Sequence, residues 1–117
     1  MFCTVKLNSN LDVGTVVQFN TTDQNWTTAT NHQDTIGVIS QAPVQDEETL
    51  IWWAKVTFAG VAFALADRDI PDQGGKLNVS NGKVFVDSSS GGNGIIAPIA
   101  RGQNTREAND LVMVDIR

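Results

Sequence analysis

Cysteine and histidine, which often supply nucleophiles, bases and metal ligands, occur once each in this sequence, as Cys3 and His32. A thiol beside an imidazole could form a nucleophile pair. However, Cys3 belongs to a strand-like N-terminal segment and His32 to a polar loop, and no motif joins them. A single cysteine also allows no disulfide within the chain and no cysteine-based zinc cluster. These two residues therefore predict no catalytic site.

Closely spaced carboxylates are the next candidates for chemistry. Asp67, Asp69 and Asp72 precede Gly74-Gly75, and carboxylates in a glycine-containing loop suit a hard cation such as calcium. Pro71 interrupts this run, and no glutamate follows at the spacing of a calcium-binding loop, so a turn held by aspartate side chains is favoured. Phosphate-binding glycine loops and serine-nucleophile motifs are also absent from the sequence. We expect no enzyme activity, no metal site and no cofactor.

The charge of the chain argues against two classes of partner. Thirteen acidic and eight basic residues among 117 give a net charge of −5. The lysines and arginines are scattered and form no basic stripe that could follow a phosphate backbone. No apolar run reaches the roughly 20 residues that span a bilayer. We therefore expect neither nucleic acid nor a membrane as a partner.

The residue types favour strands as the elements that position these side chains. Val, Ile and Thr account for 32 residues, against six Leu and three Glu, and β-branched residues prefer strands whereas Leu and Glu prefer helices. Ten Asn, ten Asp and ten Gly supply turns, which recur about every 8 to 12 residues along the chain. The sequence predicts an all-β fold: a single compact domain over residues 11–117, built as a small barrel or β-sandwich of about nine short strands.

Asn81-Gly82 gives the strongest local signal. This pair separates two alternating runs, and both residue types tolerate the positive φ that a two-residue type I′ turn requires. The sequence predicts a hairpin in which Val79 lies opposite Val84 and Leu77 lies opposite Val86.

Two other segments predict strands with particular boundaries. The apolar run over residues 50–66 predicts two strands that meet at Ala59-Gly60, or one strand with a glycine bulge. A helix is disfavoured there because Trp, Val, Thr and Phe lose rotamer freedom in helices. The segment Ile95–Ala100 predicts an edge strand, since Pro98 cannot donate a hydrogen bond to a neighbouring strand.

Residues 1–10 are predicted to be an N-terminal arm or an edge strand. Their alternation is weak, and terminal segments commonly become ordered on binding. We expect this segment, with Phe2 and Val5, to contact a neighbouring subunit or a larger particle. Removal of residues 1–8 should then weaken that contact and leave the melting temperature nearly unchanged.

Trp52 and Trp53 predict a partner surface. Neighbouring residues of a strand point to opposite faces, so if Leu50, Trp52, Ala54, Val56 and Phe58 fill the core, the other face carries Ile51, Trp53, Lys55 and Thr57. A tryptophan can bury roughly 150–250 Å², which is too much apolar surface to leave in water. The second tryptophan therefore needs either a second internal core or a subunit contact. We assign Ile51, Trp53, Lys55 and Thr57, together with Phe2 and Val5, to a partner interface.

Five short segments resemble a known family in their order and spacing: Val13-Gly14-Thr15-Val16-Val17, Ile36-Gly37-Val38-Ile39, residues 56–62 (VTFAGVA), Gly74-Gly75-Lys76-Leu77 and Gly82-Lys83-Val84-Phe85-Val86. Over residues 11–117 the sequence is similar to the head-decoration, or cement, proteins of tailed bacteriophages. The resemblance implies a non-enzymatic virion structural protein that binds the outer capsid surface after assembly in the host cytoplasm. It also implies the major capsid protein as a partner and a homo-oligomer, with a trimer favoured.

Two further classes of function remain open at this point. A carbohydrate- or receptor-binding β module of the phage type would use an outward-facing tryptophan to stack on a sugar ring. A small enzyme could instead build its active site between subunits.

Overall fold

The computed structural model describes residues 2–30, 36–68, 75–86, 95–97 and 108–116. Within these residues the chain forms eleven strands and no helix, which confirms the predicted all-β class with two strands more than the sequence indicates. The strands are β1 (Phe2–Leu7), β2 (Val16–Asn20), β3 (Asn25–Thr28), β4 (Ile36–Ile39), β5 (Val44–Gln45), β6 (Trp52–Thr57), β7 (Gly60–Leu65), β8 (Gly75–Ser80), β9 (Lys83–Val86), β10 (Ile95–Ala97) and β11 (Leu111–Ile116).

The first sheet closes into a barrel. Its strands follow the order β1–β3–β2–β4–β6, and β6 pairs back with β1. The β1–β6 pairing is antiparallel and continuous from Phe2↔Thr57 to Leu7↔Trp52, whereas β1 and β3 meet in one parallel pair, Leu7↔Trp26. The short strand β5 adds to the other edge of β6.

The second sheet has the order β7–β11–β10–β8–β9, and a parallel bridge between Ala66 and Val84 brings the end of β7 back to β9. The run over residues 50–66 is indeed two strands, and its halves β6 and β7 belong to different sheets. Strand β10 pairs with both β11 and β8, so the prediction of an edge strand is wrong. Pro98, on which that prediction rested, follows the described strand in sequence, so its missing N–H prevents neither pairing of residues 95–97. Residues 98–100 of that prediction lie outside the described residues.

The Asn81-Gly82 hairpin forms in the predicted register. Leu77 lies opposite Val86 and Val79 opposite Val84, and the φ angles of Asn81 and Gly82 are 48° and 79°. Leu77, Val79 and Val84 are all buried.

The molecule has two apolar cores, because β2 and β4 are buried on both faces. On β2, Val16 packs into one cluster and its neighbour Val17 into the other; on β4, Val38 and Ile39 divide in the same way. The first cluster joins the two sheets and includes Leu77, Val84, Val112, Val114 and three alanines of the β7 segment. The second fills the barrel, where the Trp26 ring lies 5.1 Å from that of Phe58.

Two glycines allow the sheets to approach each other closely. The N–H of Gly82 donates to Ala29 O and its carbonyl accepts from Val16 N, both at 2.8 Å, so the hairpin tip bonds to the barrel through its backbone. The carbonyl of Gly14 accepts from Leu65 N at 2.9 Å. Both glycines have positive φ angles, of 92° at Gly14 and 79° at Gly82, which strongly favours glycine at these positions.

We predict that Gly82→Ala destabilises the protein by more than about 3 kcal/mol, because positive-φ strain adds to overpacking. A Cβ at this position would lie 2.8 Å from Thr28 Cγ2 and 2.9 Å from Thr15 Cγ2. Gly60→Ala is the matched control, since Gly60 has φ 89° but nothing within 4 Å of an added Cβ. It should cost only about 1–2 kcal/mol of strain. Urea unfolding measures the free energy of unfolding of both variants. Equal losses would show that the contact between the sheets at Gly82 has room for a methyl group.

The N-terminal segment contributes a full strand to the barrel. Every residue of β1 from Phe2 to Leu7 pairs with β6, and Leu7 is 3% exposed within the barrel core. The barrel closes only through β1, so its loss would open the sheet and expose the core.

Contrary to the expectation from sequence, we therefore predict that deletion of residues 1–8 lowers the melting temperature strongly or prevents folding. Deletion of Met1 alone, ahead of the strand, is the control and should have little effect. Thermal unfolding followed by circular dichroism measures both. An unchanged melting temperature in the longer deletion would contradict the role of β1 in closing the barrel.

Candidate interaction surfaces

The residues that could do chemistry are not brought together in the described part of the chain. Cys3 is exposed on β1, and Asp67 accepts hydrogen bonds from the guanidinium of the exposed Arg68, the shorter at 2.8 Å. His32, Asp69 and Asp72 lie outside the described residues. No group of three or more His, Cys, Asp or Glu side chains that could hold a metal occurs among those described.

The outer surface of β1, β5 and β6 brings together most of the predicted interface residues. The register places Phe2 beside Thr57, Lys6 beside Trp53, and Trp53 beside Val44. Since directly opposed residues share a face, their side chains form one surface. We call it the β1–β6 face, and its members are Phe2, Thr4, Lys6, Val44, Trp53, Lys55 and Thr57.

This face combines exposed apolar side chains with two cations. Phe2, Val44 and Trp53 are 59%, 69% and 40% exposed. The Lys55 Nζ lies 3.8 Å from the centre of the Phe2 ring, which is a cation–π geometry. A groove of about 350 Å³ runs between these residues and Gln41. The mixture of aromatic rings and positive charge is a chemistry suited to binding a partner.

The two tryptophans separate as the alternation predicts, and Trp53 enters neither core. Trp52 is half-buried and packs against the barrel cluster, whereas Trp53 stays on the outer face. A second core does exist, but it lies on the outer side of β2 and β4 and not of β6. The alternative in which the second tryptophan fills an internal core therefore does not describe Trp53.

Three other predicted positions lie elsewhere. Val5 faces the barrel interior opposite Ala54 and packs against its core, so it does not share the face of Phe2. Ile51 is half-buried in the loop that precedes β6. Leu50, predicted in the core, is 64% exposed with φ 60°, because β6 begins only at Trp52 and the strand alternation does not extend back to it.

The structure shows a second outward apolar surface, which the sequence alone does not predict. Val61, Phe63, Leu111 and Met113 lie on the outer side of β7 and β11 and are 61%, 55%, 46% and 40% exposed. Phe63 and Met113 are directly opposed across the strands. We call these four residues the β7–β11 face.

The bulky residues of β7 face outward because the interior has room only for alanine. Ala62, Ala64 and Ala66 are 5%, 0% and 0% exposed against a cluster that already holds larger side chains such as Leu77 and Val84. The signal in the sequence is the alternation of large and small residues over 61–66 (VAFALA). On its own this pattern does not say which set is buried.

The two faces border a common groove. A groove of about 380 Å³ is lined by Thr57 of the β1–β6 face and by Val61, Phe63 and Leu111 of the β7–β11 face. Ser40 and Thr57, which both line this groove, hydrogen-bond to each other through their hydroxyls. Together the faces hold seven of the nine large hydrophobic side chains that are exposed in the described residues.

Comparisons with protein-family models, curated proteins and solved structures give no match to this chain. Among the described residues, no helix has the length and apolar character needed to cross a membrane.

We predict that Trp52→Ala lowers the free energy of unfolding by about 3 kcal/mol, as expected for removal of a large side chain from a core. Trp53→Ala, one residue along the same strand, should lower it by less than about 1 kcal/mol, because substitutions outside the core have small effects. Urea unfolding of both variants, compared at low protein concentration, provides the measurement. Similar losses would show that Trp53 also supports the fold.

Proposed function

We propose that this protein is a non-enzymatic virion structural protein that binds the outer capsid surface of a tailed phage and stabilises or decorates the head. In this proposal it assembles onto the capsid in the host cytoplasm, with the major capsid protein as one partner and further copies of itself as another. The resemblance of five short segments to head-decoration proteins suggests the class and favours three copies.

The observation that carries the proposal is the outward apolar surface formed by the two faces, which line a common groove. Seven side chains, each about half exposed, leave on the order of 700 Å² of largely apolar area, whereas the largest patch on a typical monomer is about 300–600 Å². Each face supplies about half of this area, enough for the apolar centre of an interface to which each partner contributes roughly 800 Å². A protein that works by presenting surfaces needs such an area, and a decoration protein needs it for two partners.

The two faces differ in the partner that they suit. The β7–β11 face is formed by aliphatic, aromatic and thioether side chains, which bind mainly by excluding water. The β1–β6 face adds Lys6 and Lys55, whose charges favour an acidic partner and fix its orientation. This difference fits a protein with one contact to the shell and another between copies.

A carbohydrate- or receptor-binding module is the second candidate, and one observation favours it. The exposed Trp53 ring borders a groove that also contains Thr4 and Gln41, and an aromatic ring beside hydrogen-bonding side chains can stack on a sugar. A glycan array probed with the wild type and with Trp53→Ala tests this candidate. Glycan binding that depends on Trp53, in the absence of particle binding, would favour it over decoration.

We predict that the protein co-sediments with assembled capsids of the tailed phage that encodes it, and that binding saturates at a fixed ratio. Phe63→Ser should reduce binding at least about 30-fold, as expected for removal of a central aromatic contact. Because Phe63 is 55% exposed, the melting temperature should change little.

Phe19→Ser is the matched control, since Phe19 is 42% exposed but belongs to neither face. It should leave particle binding unchanged. Failure of the wild-type protein to bind these capsids at micromolar concentration would contradict the proposed function. Equal losses in both variants would contradict the assignment of the β7–β11 face.

A further inference from the structure

We infer that the β1–β6 face binds the same face of a second copy of this chain around a two-fold axis. The inference rests on the proposed function, because it names the partner of the β1–β6 face, which that function treats as a contact surface. The order of acidic, apolar and basic groups in the direction of β6 supports it.

The centre of the face is apolar. Trp53 lies between Val44 on β5 and Lys6 on β1, and Phe2 extends the same surface toward Thr57. Phe2, Val44 and Trp53 expose on the order of 300–400 Å² in total. A specific interface buries about 800 Å² per partner, so a polar rim has to supply the remaining area.

That rim carries opposite charges at its two ends. The loop between β5 and β6 contains Asp46, Glu47 and Glu48, all exposed. It extends the hairpin directly, because Asp46 N donates to Ile51 O at 2.9 Å. Asp46 Oδ1 accepts from Glu48 N within the loop, and the Glu47 and Glu48 side chains are both exposed. Lys55 lies on the other side of Trp53 along β6, and Lys6 lies beside Trp53 on β1.

A two-fold axis near Trp53 satisfies both charged ends at once. It stacks the apolar centres and reverses the direction of β6, so Lys55 of each copy faces the acidic loop of the other, whereas Lys6, which is level with Trp53, lies beside the axis. Such a self-complementary contact is the isologous arrangement of most homodimers. Without these ion pairs, two chains of net charge −5 would repel each other. The resemblance implies a trimer, whereas this charge order favours a pair.

Charge reversal tests the inference in solution, with no capsid present. The basic end is reversed by Lys55→Glu, and the acidic loop by Glu47→Lys with Glu48→Lys. We expect the wild type to have the mass of two chains in analytical ultracentrifugation. Each reversed variant alone should associate at least 10-fold more weakly, because like charges then face each other. An equimolar mixture of the two variants should recover a 1:1 dimer, because opposite charges face each other again.

Asp12→Lys with Asp23→Lys is the control, since both residues are exposed outside the face and the change in net charge equals that of the acidic-loop variant. It should dimerise at least as well as the wild type. A monomeric wild type at 100 µM, or a mixture that fails to recover the dimer, would overturn the inference. A wild-type mass of three chains would also overturn it, because a two-fold contact through one face joins two copies only. A monomer that still coats capsids would refute this pairing alone and leave the proposed function standing.

Discussion

The close backbone approach at Gly14 and Gly82 is the constraint on which both sheets depend. The hairpin tip at Gly82 bonds to Val16 and Ala29 of the barrel, where an added Cβ would meet two threonine methyl groups. At Gly14, an added Cβ would lie 2.5 Å from Leu111 Cδ2. The hydrogen bonds at Gly14 and Gly82 are made by backbone atoms, so small side-chain movements cannot replace them. They hold the second sheet against β2 and β4 of the barrel, and this contact buries the outer face of those two strands as well as the inner one.

The outward apolar faces follow from this arrangement. Because the two sheets lie close together, the core between them holds the alanines of the β7 segment, and Val61 and Phe63 face outward. In the barrel, β1 and β6 use one face for the core, and their other face has no second sheet against it among the described residues. The molecule therefore reaches a well-packed interior while presenting aromatic and aliphatic side chains on one connected surface. Surfaces of this size and composition usually bind proteins.

The two faces of this surface differ in charge. In the proposed function, the β7–β11 face binds by apolar contact, which tolerates variation in the partner as long as shape is retained. In the direction of β6, the acidic β5–β6 loop is followed by the apolar Trp53 and then by Lys55, and this order gives orientation more than affinity. A protein that coats a larger particle needs such orientation, since contacts between copies require a defined geometry. Across the strands, the register sets Lys6 and Val44 on either side of Trp53.

Local chemistry in the sequence determined the all-β class, the Asn81-Gly82 hairpin with its register, the preference for strands over a helix in residues 50–66, and the opposite faces of Trp52 and Trp53. Each of these depends on neighbours within a few residues, through turn geometry, β-branching or alternation. Long-range pairing decided the rest. Closure of the barrel made residues 2–7 a structural strand and turned Val5 inward, and pairing on both sides placed β10 inside its sheet. The alternation over residues 61–66 allows either set of side chains to be buried, and only the distance between the sheets selected the alanines. Tertiary structure therefore created the β7–β11 face, because a sequence pattern specifies which residues share a face but not how much room lies opposite it.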